Sequence, residues 1–240
     1  MRHTRTTLII LGLILGIVIV LPRIYPKRAT ANTPQILLSA QFPIENKIYL
    51  PVVPRNVQSA LNHDGISNSE SGWHEGSSID GKSKWSYENG KYTGWLGEAH
   101  AWAAVTAPIS GFDTYSLQVT ATRSGGAYSV YGVIFGWTDW EHFTLLKINS
   151  ALSQYGIFRY KSGTFETIID WTSSPYINSD STPNLLQVDC MGDSIQVFTN
   201  GHPLSQVTGT QAVDTQMGLY IESNADVPLT VYFDDVTVKP

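Results

Sequence analysis

The chain has 240 residues, of which 42% are hydrophobic and 15% charged, enough to bury one sizeable core. Residues 1–70 hold 7 Lys/Arg against 3 Asp/Glu, whereas residues 71–240 hold 8 against 17. So acidic a body argues against nucleic acid or anionic lipid as its partner, because affinity for either rests on Lys and Arg neutralising fixed negative charge.

In chain order, Arg2, His3 and Arg5 precede an unbroken apolar run of 14 residues from Leu8 to Leu21, followed by Pro22, Arg23, Lys27 and Arg28. This is the pattern of an N-terminal hydrophobic helix that directs export, with 1–29 read as a signal peptide or a signal-anchor. The run is short of the roughly 20 residues that span a bilayer unaided. Ala29-Thr30-Ala31 offers a small-x-small cleavage site, but it lies late and behind basic residues. Both readings stay open: a secreted protein, or one held by a single membrane pass, with the membrane touched only through this helix. Residues 30–62 carry Pro34, Pro43, Pro51 and Pro54 and few charges, so they read as a semi-extended linker. Within it, Lys47 to Arg55 is more apolar than a spacer requires.

From residue 63 to 240 one domain is expected. Beyond Gly72 the chain alternates short β-branched or period-two runs with turn residues, and no amphipathic helical period of useful length occurs. Strands are expected at 115–122, 128–137, 142–149, 156–160, 165–170, 185–190, 195–199, 217–222 and 231–238. Asn89-Gly90, Ser124-Gly125-Gly126, Ser162-Gly163, Gly192-Asp193 and Asn200-Gly201 supply the turns, since these residues tolerate positive φ. Many short strands without crossover helices predict an all-β fold, a two-sheet antiparallel β-sandwich of jelly-roll type. Cys190 is the single cysteine, which excludes an intrachain disulfide, and it falls at a core-facing position of its strand.

The order of Ser71-Gly72-Trp73, Tyr87-Glu88-Asn89-Gly90-Lys91-Tyr92, Tyr131-Gly132-Val133-Ile134-Phe135-Gly136-Trp137, Glu141 to Ile148, Asn200-Gly201 and Val231 to Val238 resembles the concanavalin A-like lectin/glucanase superfamily. The likeness is greatest to its laminin G-like and 3-keto-disaccharide hydrolase-type domains. The resemblance implies two curved sheets and sugar recognition. The Glu-x-Asp-x-x-Glu strand of the superfamily's bacterial glucanases is absent, as are GxSxG and HExxH.

All seven Trp and ten of the twelve Tyr lie in the domain. A pyranose presents an apolar C–H face that stacks on a flat ring while polar groups at the rim take its hydroxyls. The candidate ligand-binding residues are Trp95, Trp102, Tyr131, Trp137, Trp140, Arg159 and Trp171, with Tyr131 and Trp137 placed on one side of their strand by alternation. The isolated polar residues Arg123, Lys147, Arg159, Asp189 and Glu222 are candidates to converge on one sheet face. Thr138 to His142 packs two carboxylates and an imidazole into a hairpin tip. Asp234 and Asp235 are neighbours in a strand, where one of them suits a structural calcium; no other cofactor is expected. These features support a non-catalytic module for carbohydrate or cell-surface glycan. The alternatives are a glycoside-processing hydrolase and an interaction module without a sugar site.

Overall fold

A computed structural model describes residues 46–49, 66, 69–209 and 215–239. The hydrophobic helix expected within 1–29 and most of the linker lie outside these residues. Among the described residues no helix is long and apolar enough to cross a membrane.

Among the described residues fifteen strands follow one another, with one 3₁₀ turn at Ser69–Ser71. They are β1 (Asn46–Tyr49), β2 (Gly76–Ser77), β3 (Ser83–Glu88), β4 (Lys91–Leu96), β5 (Ala101–Phe112), β6 (Thr114–Gly125), β7 (Val130–Trp137) and β8 (His142–Asn149). After these come β9 (Gln154–Lys161), β10 (Thr164–Ser173), β11 (Asn184–Met191), β12 (Ser194–Thr199), β13 (His202–Thr208), β14 (Thr215–Glu222) and β15 (Leu229–Lys239). They build a seven-stranded sheet in the order β1-β5-β14-β7-β8-β9-β10 and an eight-stranded sheet in the order β13-β12-β11-β6-β15-β4-β3-β2. The expected all-β sandwich of two antiparallel sheets is what the chain forms. The edge differs: β1 pairs in parallel with Ala101 to Ala104 of β5. Asn46–Tyr49, which falls within the expected linker, is the strand that pairs there.

Hairpin turns do what their residues dictate. Asn89 and Gly90 have φ of 53° and 73°, and Asn200 and Gly201 have 50° and 78°, the paired positive values of a tight two-residue hairpin whose twist matches its strands. Strand β5, with four alanines, carries little β-propensity, yet it holds a place between β1 and β14, where small side chains let its neighbours close in. The same crowding explains Gly132 and Gly218, where a Cβ would come within 1.9 Å of the Leu146 carbonyl and 2.3 Å of the Val105 carbonyl.

The core between the sheets follows from alternation. In β11, Leu186, Val188 and Cys190 are wholly buried while Leu185, Gln187 and Asp189 face outward. Across from them Val133, Phe135, Leu146, Ile148, Ile157, Leu219 and Ile221 fill the inner face of the seven-stranded sheet. Trp85 stacks on Tyr92 and Phe233 at centroid distances of 5.5 and 6.0 Å. Asn184, also wholly buried, ties the loop before β11 to the rest: its amide donates to the Tyr131 hydroxyl at 2.9 Å and its carbonyl accepts from the Asn178 amide at 2.8 Å.

Candidate functional site

The outer face of a sandwich sheet is ordinarily polar, but the seven-stranded sheet breaks this rule. Strands β7, β8 and β9 are apolar at successive positions rather than alternate ones, so side chains pack on both faces. On the outer face Trp102, Tyr220, Ile134, Phe143, Leu145, Phe158 and Tyr160 form a second buried cluster, against which Trp137, Trp140, Phe165 and Trp171 pack. Trp102 lies at its centre, stacked on Tyr220 at 5.8 Å and edge-on to Phe143 at 5.7 Å and Tyr160 at 5.4 Å.

An ion pair stands inside this aromatic cluster. Lys147 of β8, 4% exposed, donates from Nζ to Oε2 of Glu222 on β14 at 2.5 Å. The Tyr220 hydroxyl donates to the same oxygen at 2.8 Å. The ammonium also sits 3.8 Å from the centroid of Phe165, and 5.0 Å from that of Tyr220, where the negative face of each ring offsets lost hydration. Burial holds the Lys147 pKa below the ordinary lysine value, with Glu222 opposing the shift. Burial, with a further push from the Glu222 carboxylate, raises the Tyr220 phenol well above its ordinary range. A neutral tyrosine hydroxyl is thus the third member of the Lys147–Glu222 ion pair.

Toward the β7–β8 hairpin the face gives way to an open cavity of about 480 Å³. Phe143 and Tyr160 form its apolar part, while His142, Arg159, Lys161 and Asp193 supply the polar lining, the last from the β11–β12 turn of the other sheet. Asp139 fixes the hairpin: its carboxylate accepts from the Glu141 amide at 2.7 Å and lies 2.9 Å from Nδ1 of His142. Burial opposes the shift, but the Glu141 amide and the His142 ring hold the Asp139 carboxyl below its ordinary pKa. Trp137 and Trp140 meet edge to face at 5.7 Å on this hairpin. The Trp137 indole N–H is buried with no hydrogen-bond partner.

Among solved structures, the chain is similar to a carbohydrate-binding module from Bacillus subtilis, at 13% identity over 75% of this chain and 96% of that one, with a TM-score of 0.52. It is also similar to the β-glucanase of Bacillus licheniformis, at 12% identity over 75% of this chain and 99% of that one, with a TM-score of 0.56. The chain has the concanavalin A-like lectin/glucanase fold. No protein-family model and no curated protein sequence matches it.

On this concanavalin A-like scaffold four of the expected tryptophans, Trp102, Trp137, Trp140 and Trp171, come together on one outer face, Trp171 through its contact with Phe158 at 5.4 Å. Arg159 lines the cavity at the end of that face. Trp102 is wholly buried, so its ring is a support and not an open stacking surface. Tyr131 is a correction: it points into the core between the sheets, also wholly buried, and not toward Trp137. The reason is a bulge. Ile134 pairs with Gly218 and Trp137 with Gln216, so three steps along β7 match two along β14 and the parity of alternation inverts between Tyr131 and Trp137. Trp95, the remaining expected tryptophan, belongs to the eight-stranded sheet and lies apart from the others.

Of the polar candidates, Lys147 and Glu222 converge as expected on a shared face, whereas Arg123 binds the Gly125 and Gly126 carbonyls and Asp189 accepts from Ser116 on the opposite sheet. Asp234 pairs with Lys91 at 3.1 Å, and Asp235 sits exposed in a bulge at φ of 51°. Among the described residues no three His, Cys, Asp or Glu side chains gather as a metal set. Phe143, Tyr160, Phe165 and Tyr220 escaped the sequence reading because each looks like ordinary core; the signal was the doubled apolar character of β8 and β9.

Proposed function

We propose that this chain is a non-catalytic carbohydrate-binding module displayed outside the cytoplasm, with its glycan site at the hairpin end of the aromatic face. The observation that carries this reading is the half-buried Trp137–Trp140 pair beside a cavity lined by His142, Arg159 and Asp193. Aromatic surface with a few convergent donors and acceptors is what a sugar needs: a ring for its C–H face and polar groups for its hydroxyls. The fold shared with a carbohydrate-binding module supports the reading. Hydrolysis is less favoured, because acid and base carboxyls must converge across roughly 5–9.5 Å. The aromatic cluster instead holds Glu222 neutralised by Lys147.

The test is glycan-array binding by the purified full chain, with and without calcium, followed by titration of the best ligand. Trp137→Ala is expected to weaken binding about tenfold, the equivalent of one stacked ring, and Arg159→Ala to weaken it through lost hydroxyl contacts. Binding to no glycan in either condition would sink the lectin reading and favour an interaction module. Sugar release during incubation would favour the hydrolase.

A further inference from the structure

The outer face of the eight-stranded sheet carries a separate aromatic platform. Strands β3, β4, β15 and β6 pair in regular register, with Lys84 opposite Trp95, Trp95 opposite Thr230, Ser86 opposite Thr93 and Thr93 opposite Tyr232. Tyr92 and Phe233 face the core, so Thr93, Trp95, Thr230 and Tyr232 all face outward. Trp95 and Tyr232 are diagonal neighbours on adjacent strands, a separation of roughly 7–8 Å that lies within reach of aromatic rings. Both are half-buried, and neither is shielded by a described aromatic partner.

Three observations distinguish this patch from incidental surface. The Trp95 indole lies against Gly97, where an added Cβ would come within 2.3 Å of the ring. Glycine there lets the ring lie against the backbone and turn its other face outward. Gly97 is itself pinned, its amide donating to the Lys82 carbonyl at 2.9 Å. Next, Thr93, two residues from Trp95 on β4 and opposite Tyr232 on β15, is 2% exposed, so the sheet beside the two rings is closed and offers a ligand a surface to lie on instead of a cleft to enter. Finally, the charges at the margin are neutralised in pairs: Lys82 with Glu98 at 2.6 Å, Lys84 with Glu88 at 2.9 Å and Lys91 with Asp234 at 3.1 Å. An anionic ligand would find no uncommitted cation among these lysines, whereas a neutral one meets the half-buried Thr122 and Thr230.

We propose that Trp95 and Tyr232 form a second glycan-stacking site, on the sheet opposite the first and independent of it, for a neutral polysaccharide with an extended chain. One pyranose face stacks on Trp95, the next unit runs toward Tyr232, and Thr230, opposite Trp95, is placed to bond a hydroxyl. With sites on both faces, one module can engage two chains, or one chain twice, and gain affinity by multivalency.

The probes are cellohexaose and xylohexaose, with hexagalacturonate as the charged comparison, added to ¹⁵N-labelled full chain in detergent micelles. The readout is the Trp95 indole N–H resonance, identified by its loss in Trp95→Phe. The expected result is a saturable shift with a neutral hexasaccharide and none with hexagalacturonate, retained in Trp137→Ala. The affinity, measured across the variants by isothermal titration calorimetry in the Trp137→Ala background, should fall about tenfold in Trp95→Ala, equivalent to one stacked ring. It should fall also in Gly97→Ala, which displaces the indole without removing it, and less in Trp95→Phe. No shift with either neutral hexasaccharide overturns the proposal, as does a shift that disappears in Trp137→Ala. Loss of binding at the hairpin site with the Trp95 shift intact would reject the first site and leave this one standing.

Discussion

Replacing Glu222 by Gln removes the carboxylate that neutralises Lys147 and keeps nearly the same volume. The ammonium is then left 4% exposed among Phe165, Phe158 and Tyr220. Breaking a buried pair by deleting one partner typically costs roughly 3–5 kcal/mol, and cation–π contacts return about 2 kcal/mol of that when desolvated. A net loss of about 1–3 kcal/mol is expected. Lys147→Met should cost less, about 1–2 kcal/mol, because the Glu222 side chain is 23% exposed and keeps the Tyr220 hydroxyl as donor. The double variant Lys147→Met/Glu222→Gln should recover most of the loss, since neither charge remains to be desolvated and the Gln carbonyl still accepts from the Tyr220 hydroxyl. The pH dependence has a definite sign. The folded pKa of Lys147 lies below its unfolded value of 10.5, so between the two the unfolded chain binds more protons and stability rises with pH. Deleting Glu222 removes the opposing influence, lowers the folded pKa further and widens that window downward. Urea titrations followed by tryptophan fluorescence at pH 7, 8 and 9 should therefore show the Glu222→Gln deficit shrinking as pH rises. A deficit below about 1 kcal/mol, a deficit independent of pH, or a larger loss for Lys147→Met would refute the reasoning.

Cys190 should make the fold sensitive to alkali: burial pushes its thiol from 9.0 to about 12. Its contribution is fully present below pH 9 and lost as pH rises through about 12, at most about 4 kcal/mol. Cys190→Ala, although it leaves a small cavity, should flatten the alkaline limb of a stability-versus-pH curve, and an unchanged limb would assign it to the buried tyrosines. Gly132→Ala drives a methyl into the Leu146 carbonyl and should cost several times the roughly 1 kcal/mol expected for Gly192→Ala, where φ is +65° but space is open; equal midpoint shifts in urea would contradict the close approach. Asn184→Leu should cost about 3 kcal/mol, because it strands the hydroxyl of the wholly buried Tyr131 in the core and also releases the Asn178 amide.

Much of the architecture was legible in the residues themselves. Period-two alternation named the core of β11, and the Asn-Gly pairs named two hairpins, because side-chain direction and positive φ are local properties of the chain. Strand β5 was less so, since its alanines carry no strand signal and its place depends on neighbours that need close approach. The site divides the same way. Aromatic and isolated polar residues were recognisable as candidates, yet sequence could not reveal the β7 bulge, which sends Tyr131 into the core and Trp137 to the opposite face. Nor could it bring Lys147 to Glu222, 75 positions away, or part Trp95 from the other tryptophans. Those outcomes depend on which strands become neighbours and on where one extra residue shifts the register, and pairing between distant strands is settled only when the sheets assemble.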